Sequence, residues 1–122
     1  MDKAIVYGMA ALLMDLADVG GNVKDGCHIA SMGGTWMMLT YGFGGMRDND
    51  GTLSFWPRRA PDEQAILRFP ITYWGQRLEV EIASGKVKYT LRDGECLVIR
   101  HETEKIQLTR QNPSAVRPVS KW

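Results

Sequence analysis

Residues 77–110, RLEVEIASGKVKYTLRDGECLVIRHETEKIQLTR, alternate apolar and polar side chains over most of their length. Leu78, Val80 and Ile82 share one face and Glu79 and Glu81 the other, the period-two pattern of a strand buried on one side. The breaks at SGK (84–86), DGE (93–95) and TE (103–104) carry residues suited to tight turns. The same pattern starts earlier, in ILRFPITYWG (66–75), where Pro70 has no N–H to give to a ladder and marks an edge or a bulge. These runs predict an antiparallel meander, one sheet of a sandwich. His101 beside Glu102 is expected as a solvated strand-end pair. Tyr73 and Trp74 are neighbours on a strand and point to opposite faces, so they cannot both line a sugar platform with Trp56. Core packing, or contact with protein outside the chain, is the expectation for them.

Upstream of residue 47 the period changes to that of a helix. KAIVYGMAALLMDLA (3–17) spaces Ile5, Met9, Leu12, Leu13 and Leu16 along one stripe, and Ala and Leu are strong helix formers. DVGGNVKDG (18–26) turns the chain. A second helix is expected from Asp25 as N-cap, with Ile29, Met32, Trp36, Leu39 and Phe43 forming its apolar stripe. Gly33 and Gly34 inside it each cost about 1 kcal/mol against Ala. Close approach to Gly8 and Ala11 of the first helix is the expected compensation. QNPSAVRPVSKW (111–122) has two prolines and little periodicity, so it reads as an extended tail.

The fold class expected is therefore α+β: two amino-terminal helices, then an antiparallel β-sandwich or jelly-roll-like module. Its divisions are placed at 1–46, 47–112 and 113–122. The chain has 122 residues, enough for one compact domain. Lys and Arg number 15 against 14 Asp and Glu, with no basic run longer than Arg58-Arg59, so nucleic acid is not expected as a partner. The apolar stretches fall short of a membrane span, and no export signal is evident. Cys27 and Cys96, two isolated cysteines, fit a reducing cytoplasm better than a disulfide scaffold or a zinc site, and no metal is expected.

Only two histidines occur, and His28 lies in DGCHIASMGGTW (25–36), at the start of the second helix. A helix start offers N–H groups and partial positive charge, so Asp25 to His28 can be read as an anion cradle with an imidazole attached. On the residues alone, the expectation is rather that His28 caps the helix or bonds a nearby carbonyl. Ser31 lies one turn further on, where its hydroxyl shares that face or is solvated.

The run MDLADVGGNVKDGCHIASMGGTWMMLTYGFGGMR (14–47) resembles the end of the catalytic region of glycoside hydrolase family sixty-five, the maltose, trehalose and kojibiose phosphorylases and their hydrolytic relatives. The spaced set Asp15, Gly21, Asn22, Gly26, His28, Ala30, Gly34, Thr35 and Trp36 carries the likeness. It continues through DGTLSFWPRRAP (50–61) and LRFPITYWGQRLEVEI (67–82) into VKYTLRDGECLVIRHETEKIQLT (87–109).

The resemblance implies that residues 1–46 are the last helix pair of an (α/α)6 barrel, followed by a small β domain. It implies inverting phosphorolysis of α-linked disaccharides in a longer parent, with inorganic phosphate as co-substrate and no other cofactor. The family's general acid is a glutamate upstream of the matched region, so whether this chain is itself an enzyme is left open and no catalytic residue is assigned in it. The residues carried over are His28 and Ser31, as phosphate contacts. The partners implied are disaccharide and phosphate in the parent. Residues 1–46 are expected to dock onto the missing barrel or to self-associate; a free-standing module docking through those helices is the competing expectation.

Overall fold

The alternating run forms the strands expected of it, but they divide between two sheets. The structure, a computed structural model, describes residues 2–58 and 64–120. Strands β1 (Ser54–Phe55), β2 (Leu67–Tyr73), β3 (Gln76–Ala83), β4 (Lys86–Asp93), β5 (Cys96–His101), β6 (Glu104–Thr109) and β7 (Ser114–Pro118) follow one another along the chain. One sheet has the order β2-β3-β4-β7 and the other β1-β5-β6, so the fold is α+β with a β-sandwich. All pairings are antiparallel except β1 with β5, which are parallel, Ser54 opposite Arg100 and Phe55 opposite His101.

The inward residues are those the period selects: Leu78, Val80 and Ile82 of β3, Val87, Tyr89 and Leu91 of β4, Leu97 and Ile99 of β5, Ile106 and Leu108 of β6. Phe55 from the two-residue β1 joins them, its ring 5.1 Å from that of Tyr89. On the outer face Glu81 accepts from Arg68 and Glu79 from Arg92. Such exposed cross-strand pairs contribute about 0–1 kcal/mol each and serve register more than stability. Pro70 lies on β2, an edge strand, as its missing N–H requires.

The stretch expected as an extended tail, 113–122, instead supplies β7, paired with β4 from Lys86↔Pro118 to Thr90↔Ser114. Its fastenings lie outside any sequence period. Leu91 N–H donates to the Pro113 carbonyl at 2.8 Å and Val119 N–H to the Gly85 carbonyl at 2.9 Å. Arg117 gives a two-pronged bond to Glu104 of β6, Nε to Oε2 at 2.8 Å and Nη2 to Oε1 at 2.7 Å, tying the two sheets. His101 is also placed differently from expectation: it is only 5% exposed, and its Nδ1 bonds the buried Tyr89 hydroxyl at 2.9 Å. The Leu97, Ile99, His101 alternation carries it inward.

The helical part is α1 (Asp2–Leu16), a 3-10 turn (Val23–Asp25), α2 (Ile29–Met37) and a π-helical segment (Met38–Phe43). Ala17 N–H closes the last turn of α1 on the Leu13 carbonyl, after which Asp18 adopts a left-handed φ of 48°. Asp18 Oδ1 then accepts the Val23 N–H at 3.0 Å and so starts the 3-10 turn. Asp25 lies inside that turn, and the N-cap of α2 is His28. The expected seating of Gly33 and Gly34 on α1 is not found. Both are exposed with open space where a Cβ would go, whereas Gly8 makes room for the Met38 side chain. Trp36, expected in a core, is partly exposed.

The chain divides into two compact units between Leu39 and Thr40. That is ahead of the expected 46/47 boundary because Met46 packs in the sandwich core and its N–H donates to the Thr40 carbonyl. Among the described residues no helix is long and apolar enough to cross a membrane.

Candidate functional site

The loop from Asp18 to Cys27 carries the chain back toward the end of α1, and there His28 meets Asp15. The His28 main-chain N–H donates to Asp15 Oδ2 at 2.8 Å. Its ring Nδ1 lies 2.5 Å from Asp15 Oδ1. One carboxylate thus grips both the backbone and the ring of a single residue, with the side chains 32% and 19% exposed for His28 and Asp15. The ring bond from His28, then the main-chain bond, hold the Asp15 carboxyl below its usual range, against the opposing effect of partial burial. Asp15 is therefore ionised at neutral pH. In the sequence Asp15 is marked only as a member of the spaced set, because its partner lies 13 residues further on.

The cradle of free N–H groups expected over Asp25 to His28 is largely used internally. Asp25 N–H donates to the Asn22 carbonyl, Gly26 N–H to Val23, His28 N–H to Asp15 and Ile29 N–H to the Cys27 carbonyl. What remains for a ligand is the imidazole edge at Nε2, which has no hydrogen bond among the described residues. Ser31 is on the first turn of α2, its N–H donating to the His28 carbonyl at 2.9 Å and its own carbonyl accepting from Thr35 Oγ1 at 2.9 Å. Its hydroxyl makes no hydrogen bond among the described residues, so His28 and Ser31 come to the same helix start with an unused polar group each.

Tyr73 and Trp74, expected on opposite faces, instead lie edge to face with ring centroids 6.1 Å apart, because Trp74 leaves the strand into the turn. Tyr73 donates its hydroxyl to the Gly51 carbonyl at 2.9 Å, and Trp74 sits at the β2–β3 hairpin with a φ of 49° and its indole exposed, so it is not a core residue. Cys27 and Cys96 are free thiols. Among the described residues no group of three His, Cys, Asp or Glu side chains is placed to hold a metal ion.

The described residues thus form a helix pair, with a carboxylate-held imidazole at the start of the second helix, followed by a two-sheet sandwich. Residues 46–108, just over half of the chain, match glycosyl hydrolase family 65, C-terminal domain, and the chain belongs to that family. It is 43% identical over 118 residues to an uncharacterized glycosyl hydrolase of Mycobacterium leprae, covering 95% of this chain and 15% of that protein. It is 40% identical over 113 residues to the alpha,alpha-trehalose phosphorylase of Geobacillus stearothermophilus, covering 93% of this chain and 15% of the relative. A solved structure from the human microbiome, designated a kojibiose phosphorylase, shares the fold with a TM-score of 0.82 at 24% identity, over 95% of this chain and 16% of that one. The chain thus spans about one-seventh of the length of the relatives it matches.

Proposed function

We propose that this chain is the carboxyl-terminal part of a disaccharide phosphorylase, that it contributes His28 and Ser31 to the binding of inorganic phosphate, and that it carries no catalytic acid of its own. The observation that carries this reading is the Asp15-held His28, with Nε2 left for a ligand at the start of a helix. The relatives named as phosphorylases support it. In the intact enzyme, phosphate attacks the anomeric carbon while a carboxylic acid on the rest of the protein protonates the departing glycosidic oxygen, giving a sugar 1-phosphate with inverted configuration. The two free, exposed thiols support a cytoplasmic setting.

The test is a chimaera in which this chain replaces the matching segment of the Geobacillus trehalose phosphorylase. His28→Gln is expected to raise KM for phosphate by about tenfold or more, the cost of losing a charge-assisted bond of roughly 1.5–3 kcal/mol, and to leave KM for trehalose within about twofold. An unchanged phosphate KM would remove His28 from the site. The isolated chain, given trehalose, maltose or kojibiose with phosphate, is expected to release no sugar phosphate; any turnover refutes the absence of an acid.

The apolar sides of the helices support the second part of the reading, docking through residues 1–46. Leu16 is 77% and Ile29 76% exposed, and Tyr7, Val6, Met32 and Met37 are exposed as well. Apolar surface of this kind is covered in a functioning protein. Its cover in the parent is the barrel, and in its absence the isolated chain is expected to self-associate. Sedimentation at micromolar concentration checks this, and a well-behaved monomer would count against it.

A further inference from the structure

Asp15 is in the last turn of α1, where the negative end of the helix disfavours a carboxylate. Two bonds to one residue offset that placement: Oδ2 accepts the His28 main-chain N–H at 2.8 Å and Oδ1 faces the ring Nδ1 at 2.5 Å. An ionised carboxylate has only lone pairs to offer. The ring nitrogen facing it must therefore carry a hydrogen, and the other nitrogen, Nε2, is the one left for a ligand.

We propose that Asp15 is a positioning residue that holds the neutral His28 ring in its Nδ1–H form and aims Nε2 at the phosphate. This rests on the reading of His28 as a phosphate contact. Held so, the neutral ring accepts a hydrogen bond from a protonated phosphate oxygen, and the cationic ring donates one to an ionised oxygen. The carboxylate satisfies Nδ1 in both states, so phosphate meets the same atom in both. Asp15→Asn separates position from tautomer. The amide oxygen keeps the main-chain N–H, and the amide nitrogen then points its hydrogens at Nδ1. That forces Nδ1 to accept and moves the proton to Nε2, the wrong-tautomer effect of an amide in place of an orienting carboxylate.

The experiment has two readouts. Nitrogen and carbon NMR shifts of the neutral His28 ring in the isolated chain are expected to report Nδ1–H in the wild type and Nε2–H in Asp15→Asn. A wild-type ring that carries its proton on Nε2 overturns the proposal with no variant needed. In the trehalose phosphorylase chimaera, Asp15→Asn is expected to raise KM for phosphate about tenfold with KM for trehalose held, and Asp15→Glu to restore part of the loss. A tautomer that reverses while phosphate KM stays at the wild-type value overturns the link from Asp15 to the ligand. Failure of the phosphate reading itself looks different: His28→Gln then leaves phosphate KM unchanged, whereas the NMR result still stands.

Discussion

Gly45→Ala is expected to lower the stability of the β-sandwich unit by about 3 kcal/mol, the sum of roughly 1–2 for a left-handed alanine and 1–3 for overpacking. Gly45 has a φ of 58°, and a Cβ built there would lie 2.0 Å from the Trp56 carbonyl oxygen and 2.5 Å from its carbon. Main chain, unlike the tip of a long side chain, cannot swing aside. The same strand segment holds several close bonds that a shift would disturb. Trp56 N–H donates to the Gly45 carbonyl at 3.1 Å, Arg58 N–H to Phe43 at 2.7 Å, and Arg47 and Ser54 exchange two bonds of 2.8 Å. Gly51→Ala is the control, because its φ is 76° but nothing lies within 4 Å of the added carbon. It should cost only about 1 kcal/mol, the left-handed part alone. Urea titrations followed by the tryptophan and far-ultraviolet signals give both numbers, and equal losses would refute the argument from close approach.

The second large effect is a dependence of stability on acid. Burial, with the charge of Arg117 adding to it, holds the His101 imidazole below its ordinary value of 6.5, while Glu102, Glu104 and the Pro118 carbonyl act in the other direction. The neutral ring accepts from the Tyr89 hydroxyl, whose own ionisation burial pushes far above the usual range for a phenol. The unfolded chain takes up the imidazole proton at the ordinary value and the folded one only at lower pH. Stability is therefore fully present above about 6.5, falls as the pH drops below it, and levels off once the folded ring is also protonated. The carboxylates held low by their partners, Asp50, Glu79 and Glu104, lose their contribution only in a more acidic window below the usual carboxylate range. Tyr89→Phe is expected to cost about 1–2 kcal/mol at neutral pH by leaving a buried nitrogen without its donor. His101→Gln should flatten the dependence between pH 7 and about 5. Urea midpoints across that range test it, and a wild-type slope that survives in His101→Gln would assign the effect to other groups.

Much of the sandwich was readable because one buried face imposes a strict period of two. Leu78, Val80, Ile82, Val87, Tyr89 and Leu91 could be assigned inward from their spacing, and Pro70 to an edge from its missing donor. Which strand lies beside which was not readable, since alternation fixes faces and not neighbours. The break of the meander between β4 and β5, and the parallel β1, followed from tertiary packing. Ser114–Pro118 escaped notice because as an edge strand it tolerates proline and needs no clear alternation. For His101 the acidic neighbour suggests a solvated end, but the register shared with Leu97 and Ile99 turns it inward.

At the candidate site, His28 stood out by rarity and position. Asp15 did not, because its partner is 13 residues away and is brought back by a loop whose closure depends on Asp18 and the 3-10 turn. Asp25 looked like a cap by residue type, but its N–H and that of Gly26 are spent on that turn.

The late place of β7 in the chain has a kinetic consequence. β2, β3 and β4 meet through two short hairpins, at Trp74-Gly75 and Ser84-Gly85, both with positive φ at the two turn residues. Their contacts are local in sequence and form early. β7 must close a loop from Thr90 to Ser114, across β5 and β6, before it finds β4, so it is expected to join after the two hairpins have formed. Interactions made that late govern the unfolding rate and leave the folding rate nearly unchanged. The Arg117–Glu104 pair, made only when β7 docks, would then act as a brake on escape from the native state.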